Sequence, residues 1–201
     1  MFLTYKFSKE LEVLYKLTPL LKILGILYGQ LIYVCTVKQY RLLFKWWCVS
    51  YKVPYVITNW IGGLFTNFKV VCLSVLRGQY LDKRHELYES EIRTYKRLLY
   101  RYGGLLFVRS LPDFAYIPSF FANAIAIEEA NRIGIPSATF YVGDRPFHGA
   151  TYPLFGTSES LWHILFFATY ILSQYNVGVK LRSLFFFKGL TSLSGLRHKL
   201  A

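Results

Sequence analysis

The chain has 201 residues, enough for one α/β domain with a sizeable core, and it carries a formal net charge of +13 beside a 54% hydrophobic content. The charge points to a phosphate-backbone partner or an anionic membrane, the apolar content to a membrane protein, so the arrangement of residues has to decide. Neither apolar stretch makes a span of about 20 mostly apolar residues: Leu20–Val37 contains Lys22, Gly25, Gly29 and Gln30, and Leu161–Leu172 is short and carries His163.

Taken in chain order, Met1–Lys9 holds Lys6 and Lys9 but no Arg, a poor secretory or transit signal. Apolar residues at 11, 14, 17, 20, 21, 24 and 27 predict a helix over Leu11–Leu27, kinked or restarted at Pro19 and ended by Gly29. Leu31–Thr36 is continuously apolar, as a strand buried on both faces of a parallel sheet should be. A helix over Lys38–Ser50 and a second short strand at Tyr55–Ile57 complete a strand–helix–strand unit. The same grammar returns later. Phe114–Ile117 predicts a strand, and Asn123–Ile133 a helix closed by Gly134 in a left-handed cap. Ser137–Val142 predicts another strand, and Gly143–Pro146 a turn. Thr157 or Ser158 is placed to cap a last helix over Glu159–Gln174. Beyond Asn176 the tail is basic and aromatic with no clear period.

Between the two halves, Leu64–Tyr102 differs in character. Leu81, His85, Tyr88, Ile92, Tyr95, Leu99 and Tyr102 follow a heptad seam, and Leu64, Phe68, Val71 and Val75 do the same on a shorter preceding helix, with Gly78 between them. The expectation is an inserted antiparallel helical hairpin over 64–102. The α/β domain is then 1–63 with 103–175, and 176–201 is a basic aromatic tail.

Cationic residues fall at helical spacing in three places. Lys38, Arg41, Lys45 and Lys52 line one side of the first crossover helix, with Leu42, Leu43, Trp46 and Val49 expected to face the other way. Arg93, Lys96, Arg97, Tyr100 and Arg101 form a second stripe, and Lys180, Arg182, Lys188, Arg197 and Lys199 stand among the aromatics of the tail. Cations so spaced neutralise successive phosphates, and neighbouring aromatic rings stack on unpaired bases. A solvated face is the bland alternative.

Chemistry is otherwise missing. The turn after the first strand, Val34–Lys38, has no glycine with which to cradle a phosphate. Asp113, Asp144, His148 and His163 are isolated; Asp113 and Asp144 suit turns, and His163 suits a core edge. Cys35, Cys48 and Cys72 fit a reducing compartment and small buried hydrophobes, not a zinc site or a disulfide frame. No cofactor, metal or small-molecule substrate is expected. The 17 Phe and 17 Tyr are typical of AT-rich coding and hint at an organelle-encoded protein.

The densest local signal is Asn59-Trp60-Ile61-Gly62-Gly63-Leu64-Phe65-Thr66-Asn67-Phe68-Lys69. The glycine pair permits a tight turn, Trp60 is a large anchor, and Thr66 and Asn67 are able to cap a helix start. This run resembles the signature of the small-subunit ribosomal protein two family. So do Gly103-Gly104-Leu105 with Leu111-Pro112-Asp113-Phe114, Ala126–Pro136 against Ala-Ile-x-Glu-Ala-x-x-Leu-Gly-Ile-Pro, and Tyr152–Gly156, in the family's order over roughly residues 10–175. The chain lacks the family's N-terminal Gly-His and Trp-Asn-Pro-Lys-Met segment and its acidic turns.

The resemblance implies a flavodoxin-like α/β fold, a parallel sheet with helices on both faces and a coiled-coil hairpin inserted. It also implies a non-catalytic component of the small ribosomal subunit, and the aromatic-rich composition adds the expectation of a mitochondrial ribosome. Such a protein sits where head and body meet and contacts small-subunit ribosomal RNA and neighbouring small-subunit proteins. The expected RNA-binding residues are Lys38, Arg41, Lys45, Trp60, Gly62, Gly63, Thr66, Asn67, Lys69, Arg93, Lys96, Arg97, Arg101, Arg182 and Lys188. The competing readings are a small nucleotide- or phosphate-binding α/β enzyme and a membrane-associated protein.

Overall fold

The computed structural model describes residues 2–84, 88–106, 108, 110–140, 149–154 and 156–197, with side chains from 11 to 185. The elements are α1 (Phe2–Ile26), β1 (Leu31–Val34), α2 (Arg41–Ser50, led in by a 3-10 turn at Lys38–Tyr40) and β2 (Tyr55–Val56). Then come α3 (Phe68–Asp82), α4 (Glu89–Tyr102), β3 (Phe114–Tyr116), α5 (Ala124–Ile133), β4 (Ser137–Phe140), β5 (Tyr152–Leu154) and α6 (Leu161–Arg197). They form two compact units, Gln30–Leu165 and a helical unit of Met1–Gly29 with Phe166–Ala201.

In the larger unit the five strands pair in parallel in the order β2-β1-β3-β4-β5, the flavodoxin-like order. Strands buried on both faces need helices on both, and the alternation of side chains sorts them. Tyr33 pairs in register with Tyr116, and their rings meet edge to face at 5.9 Å, with Trp47 of α2 at 5.4 Å and Phe140 of β4 at 6.4 Å along the same row. The Tyr116 hydroxyl donates to the carbonyl of Ile164 at 3.0 Å, which satisfies a fully buried group. The opposite face carries Ile32, Val34, Ala115 and Ile117, packed with Ala126, Ile127 and Ala130 of α5 and with Leu64, Phe65 and Val71 at the hairpin root.

Several local expectations hold. Gly134 stands at φ 80° and ends α5. Asp113 is a turn carboxylate: it accepts the Gln30 N–H at 2.7 Å while its own N–H reaches the Gln30 carbonyl at 2.8 Å, tying the starts of β1 and β3. Thr157, however, does not cap the last helix: α6 starts at Leu161, not Glu159, and the Thr157 hydroxyl accepts the Glu159 N–H at 3.1 Å in the turn before it. His163 accepts the Thr157 N–H and lies beside Phe140.

Others are corrected. Gly78 does not divide the hairpin; α3 runs through it to Asp82, and a Cβ there would make only an ordinary contact with Leu98 of α4 at 3.7 Å. Leu81 therefore belongs to α3, and His85 lies outside the described residues. Tyr95 and Asp82 join the two helices through a hydrogen bond. β5 was not expected as a strand, since Pro153 and its short length hide the signal. For β4, residues 141–142 lie outside the described residues, as do Asp144, His148 and the turn at 143–146.

In the helical unit, α1 passes Pro19 without a restart. Its end is set by Tyr28, not Gly29: Tyr28 takes the left-handed conformation at φ 62°, and the Gly29 N–H returns to the Leu24 carbonyl at 2.8 Å. The tail, without a clear period in sequence, is nonetheless helical: α6 continues to Arg197. Gly25 and Gly178 let the backbones of α1 and α6 come close, and an added Cβ on either would strike the other helix's main chain. No helix among the described residues is long and apolar enough to cross a membrane.

Candidate nucleic-acid interface

The Trp60–Lys69 signature forms the link from β2 to α3, and its organising group is a carboxylate from elsewhere in the chain. On α5, Glu128 points to solvent, whereas Glu129 shares the buried side with Ala126 and Ala130 and is only 6% exposed. Its two oxygens accept the Trp60 indole N–H at 3.1 Å, the Gly63 N–H at 2.7 Å, the Phe65 N–H at 3.0 Å, and the N–H and hydroxyl of Thr66, each at 3.4 Å. Burial alone would raise this carboxyl. The donors from Gly63, Trp60, Phe65 and Thr66 outweigh it and hold Glu129 below the usual glutamate range. The Trp60 ring rests edge-on against Phe65 at 5.0 Å. Sequence reasoning missed Glu129. The available signal was its position three residues after Ala126, on the apolar side of its helix.

This clamp gives the signature residues distinct placements. Gly63 needs its φ of 85°, while a Cβ on Gly62 would meet open space, so only one of the pair is conformationally demanding. Thr66 and Asn67 were expected to cap α3 through their side chains. Instead Thr66 is held by Glu129, and Asn67 occupies the cap position with no side-chain bond. Lys69 stands exposed in the first turn of α3.

On α4, Arg93, Lys96, Arg97 and Arg101 are exposed on one side, with Tyr100 among them at 67% exposure. Tyr95 and Tyr102, half-buried, lie on the other. The two ion pairs seen among the described residues, Lys16–Glu12 and Arg84–Glu91, involve none of the four cations. Glu91 instead caps its own helix by accepting the Tyr88 N–H at 3.0 Å. The α4 face can therefore present to an anionic surface four cations that have no ion-pair partner among the described residues.

The other expected residues are scattered. Lys38 and Lys45 are exposed and Arg41 half-buried, but their surroundings differ from expectation. Leu42, Leu43, Trp46 and Val49 do not face the core; Phe44, Trp47 and Cys48 do, and the first four share the exposed surface with the lysines. Arg182 is engaged within its own unit, donating to the Gly25 carbonyl at 2.9 Å and lying 3.7 Å over the Tyr28 ring. The side chain of Lys188 is outside the described residues. No group of three His, Cys, Asp or Glu able to hold a metal occurs among the described residues.

A flavodoxin-like sheet, a helical hairpin inserted after its second strand, and a buried glutamate bracing the Trp-x-Gly-Gly turn define an α/β domain of one specific build. The profile of that build, Ribosomal protein S2, matches residues 6–177, and the chain belongs to this family of ribosomal structural proteins. It is similar to the small ribosomal subunit protein uS2 of Campylobacter jejuni (26% identical over 162 residues, 76% of this chain and 62% of that one). The uS2 proteins of Rhodospirillum centenum (31% over 117 residues, 53% and 45%) and Deinococcus radiodurans (31% over 121 residues, 54% and 45%) are further relatives. The chain thus matches at most 62% of the length of these curated relatives.

Proposed function

We propose that this chain is a structural, non-enzymatic component of the small ribosomal subunit, held at the head–body junction by ribosomal RNA and by neighbouring ribosomal proteins. The observation that carries the RNA contact is the α4 face: Arg93, Lys96, Arg97 and Arg101 within nine residues, all exposed and none ion-paired among the described residues. Such a row neutralises phosphates, and Tyr100 at its centre offers a ring to an unpaired base. Lys69 at the hairpin root extends the charge. In this reading the α/β domain of 1–63 and 103–175 is the docked body, the hairpin of 64–102 carries the main RNA face, and 176–201 is a second anchor.

The ribosome is that of a mitochondrion, on its matrix side. The support is compositional, the Phe- and Tyr-rich make-up expected of AT-rich organellar coding. Sedimentation of a tagged chain from lysed mitochondria tests both statements. Co-migration with small-subunit ribosomal RNA is expected; recovery with membranes after RNase treatment, or as a free pool, would refute them.

A further inference from the structure

On α2, Leu42 is 79% exposed, Trp46 72%, Val49 47% and Leu43 54%. Leu42, Trp46 and Val49 stand at i, i+4 and i+7, so they make one continuous apolar stripe along the helix. A buried stripe already exists on the other side in Phe44, Trp47 and Cys48, so the outer one is not needed for the fold. An exposed, contiguous apolar patch bounded by charge marks a binding surface. Lys45 borders this stripe and Lys38 stands just before the helix, both exposed. No acidic residue occurs anywhere between Glu12 and Asp82, so the strand–helix–strand unit supplies no carboxylate of its own for them.

We propose that this face of α2 docks an amphipathic helix of a neighbouring small-subunit protein, one whose apolar stripe is flanked by Asp and Glu. The proposal rests on the reading of the chain as a subunit component. Leucine and valine have no donor, charge or π-face with which to recognise RNA, whereas they are suited to a helix laid against a helix. Tryptophan at the centre of the stripe is the residue type that dominates such contacts. The lysines at the edge then meet the partner's carboxylates, which sets orientation and rejects basic competitors. The two cationic faces of the protein thereby separate by chemistry: α4 mixes its charges with one tyrosine for RNA, and α2 mixes its charges with aliphatics for protein.

Photo-crosslinking within purified small subunits tests this. A benzophenone amino acid replaces Trp46 in one version of the chain and Tyr100 in another, and the adducts are identified by mass spectrometry. Position 46 should yield an adduct to a peptide carrying an apolar stripe with flanking acids. The double variant Leu42→Glu with Trp46→Glu should lose that neighbour from the particle while retaining the chain, its ribosomal RNA and its thermal unfolding midpoint. An RNA adduct at position 46, an adduct only to a second copy of this chain, or no adduct from a chain that co-sediments with the subunit would overturn the proposal. Failure of the proposed function is separately visible, since position 100 would then give no RNA adduct and the chain would not sediment with the subunit at all.

Discussion

The Glu129 carboxylate accepts the Trp60 indole N–H at 3.1 Å across 69 residues of sequence, and this bond joins the link after β2 to the helix after β3. The same carboxylate holds the Gly63, Phe65 and Thr66 amides, so one buried charge fixes the whole turn from which the hairpin departs. Charge-assisted bonds of this kind are roughly twice as strong as neutral ones. Glu129→Gln keeps the shape but turns an NH2 toward a set of donors, and it should lower stability by about 2–3 kcal/mol. Trp60→Phe removes one bond and should cost about 1 kcal/mol. Urea unfolding of the two variants checks the ranking; equal, small losses would show that the carboxylate is not the organising group.

Acid stability follows from the same group. The folded-state pKa of Glu129 is depressed, so its stabilising contribution is fully present at neutral pH. It begins to fade as pH falls to the ordinary glutamate value of about 4.3 and is lost through the lower folded-state value. Wild type should therefore lose stability more steeply than Glu129→Gln below about pH 4.5, and the two unfolding curves should converge in acid. Parallel curves across that range would contradict the assignment.

The glycines of the signatures should separate into tolerant and intolerant positions. Gly62→Ala meets open space and should change stability by less than about 0.5 kcal/mol. Gly63→Ala forces an L side chain to φ 85° and should cost about 1–2 kcal/mol. Gly104→Ala would drive a methyl into the Tyr55 carbonyl and ring, and it should be the most damaging of the three. Thermal melts of the three single variants give the order directly.

Much of this was legible in sequence because the signals were local. Parallel strands at Leu31 and Phe114 announced themselves as continuous apolar runs, and Gly134 announced its left-handed cap. The α2 face was not legible, since apolar residues occupy both sides of that helix, and Leu42/Trp46/Val49 and Phe44/Trp47/Cys48 each satisfy a helical period. Only the sheet, through Tyr33 against Trp47, selects the second set. Glu129 was hidden for a similar reason: a charge beside Glu128 looks solvated until the donors that bury it, 63 or more residues away in sequence, are in place. Gly78 misled because a lone glycine inside a helix and one that ends a helix look alike in a linear reading.

Thiol chemistry offers a check on the core. Burial pushes the Cys35 thiol up to about 11 and Cys48 higher still, while Cys72 is raised by burial but is partly exposed. At pH 7.5 the folded protein should be alkylated at Cys72 first, with Cys35 and Cys48 modified only on unfolding. Rapid labelling of Cys48 in the native state would contradict the packing of α2 against the sheet.

The most direct test of the account is sedimentation of a chain in which Arg93, Lys96, Arg97 and Arg101 are all replaced by Ala. These side chains are exposed and carry none of the core, so the variant should fold with an unchanged circular dichroism spectrum. The account predicts that it leaves the small-subunit peak, or leaves it at a lower salt concentration than wild type, because phosphate neutralisation has been lost. A folded variant that co-migrates with the subunit at every salt concentration, as wild type does, would contradict the placement of α4 on ribosomal RNA.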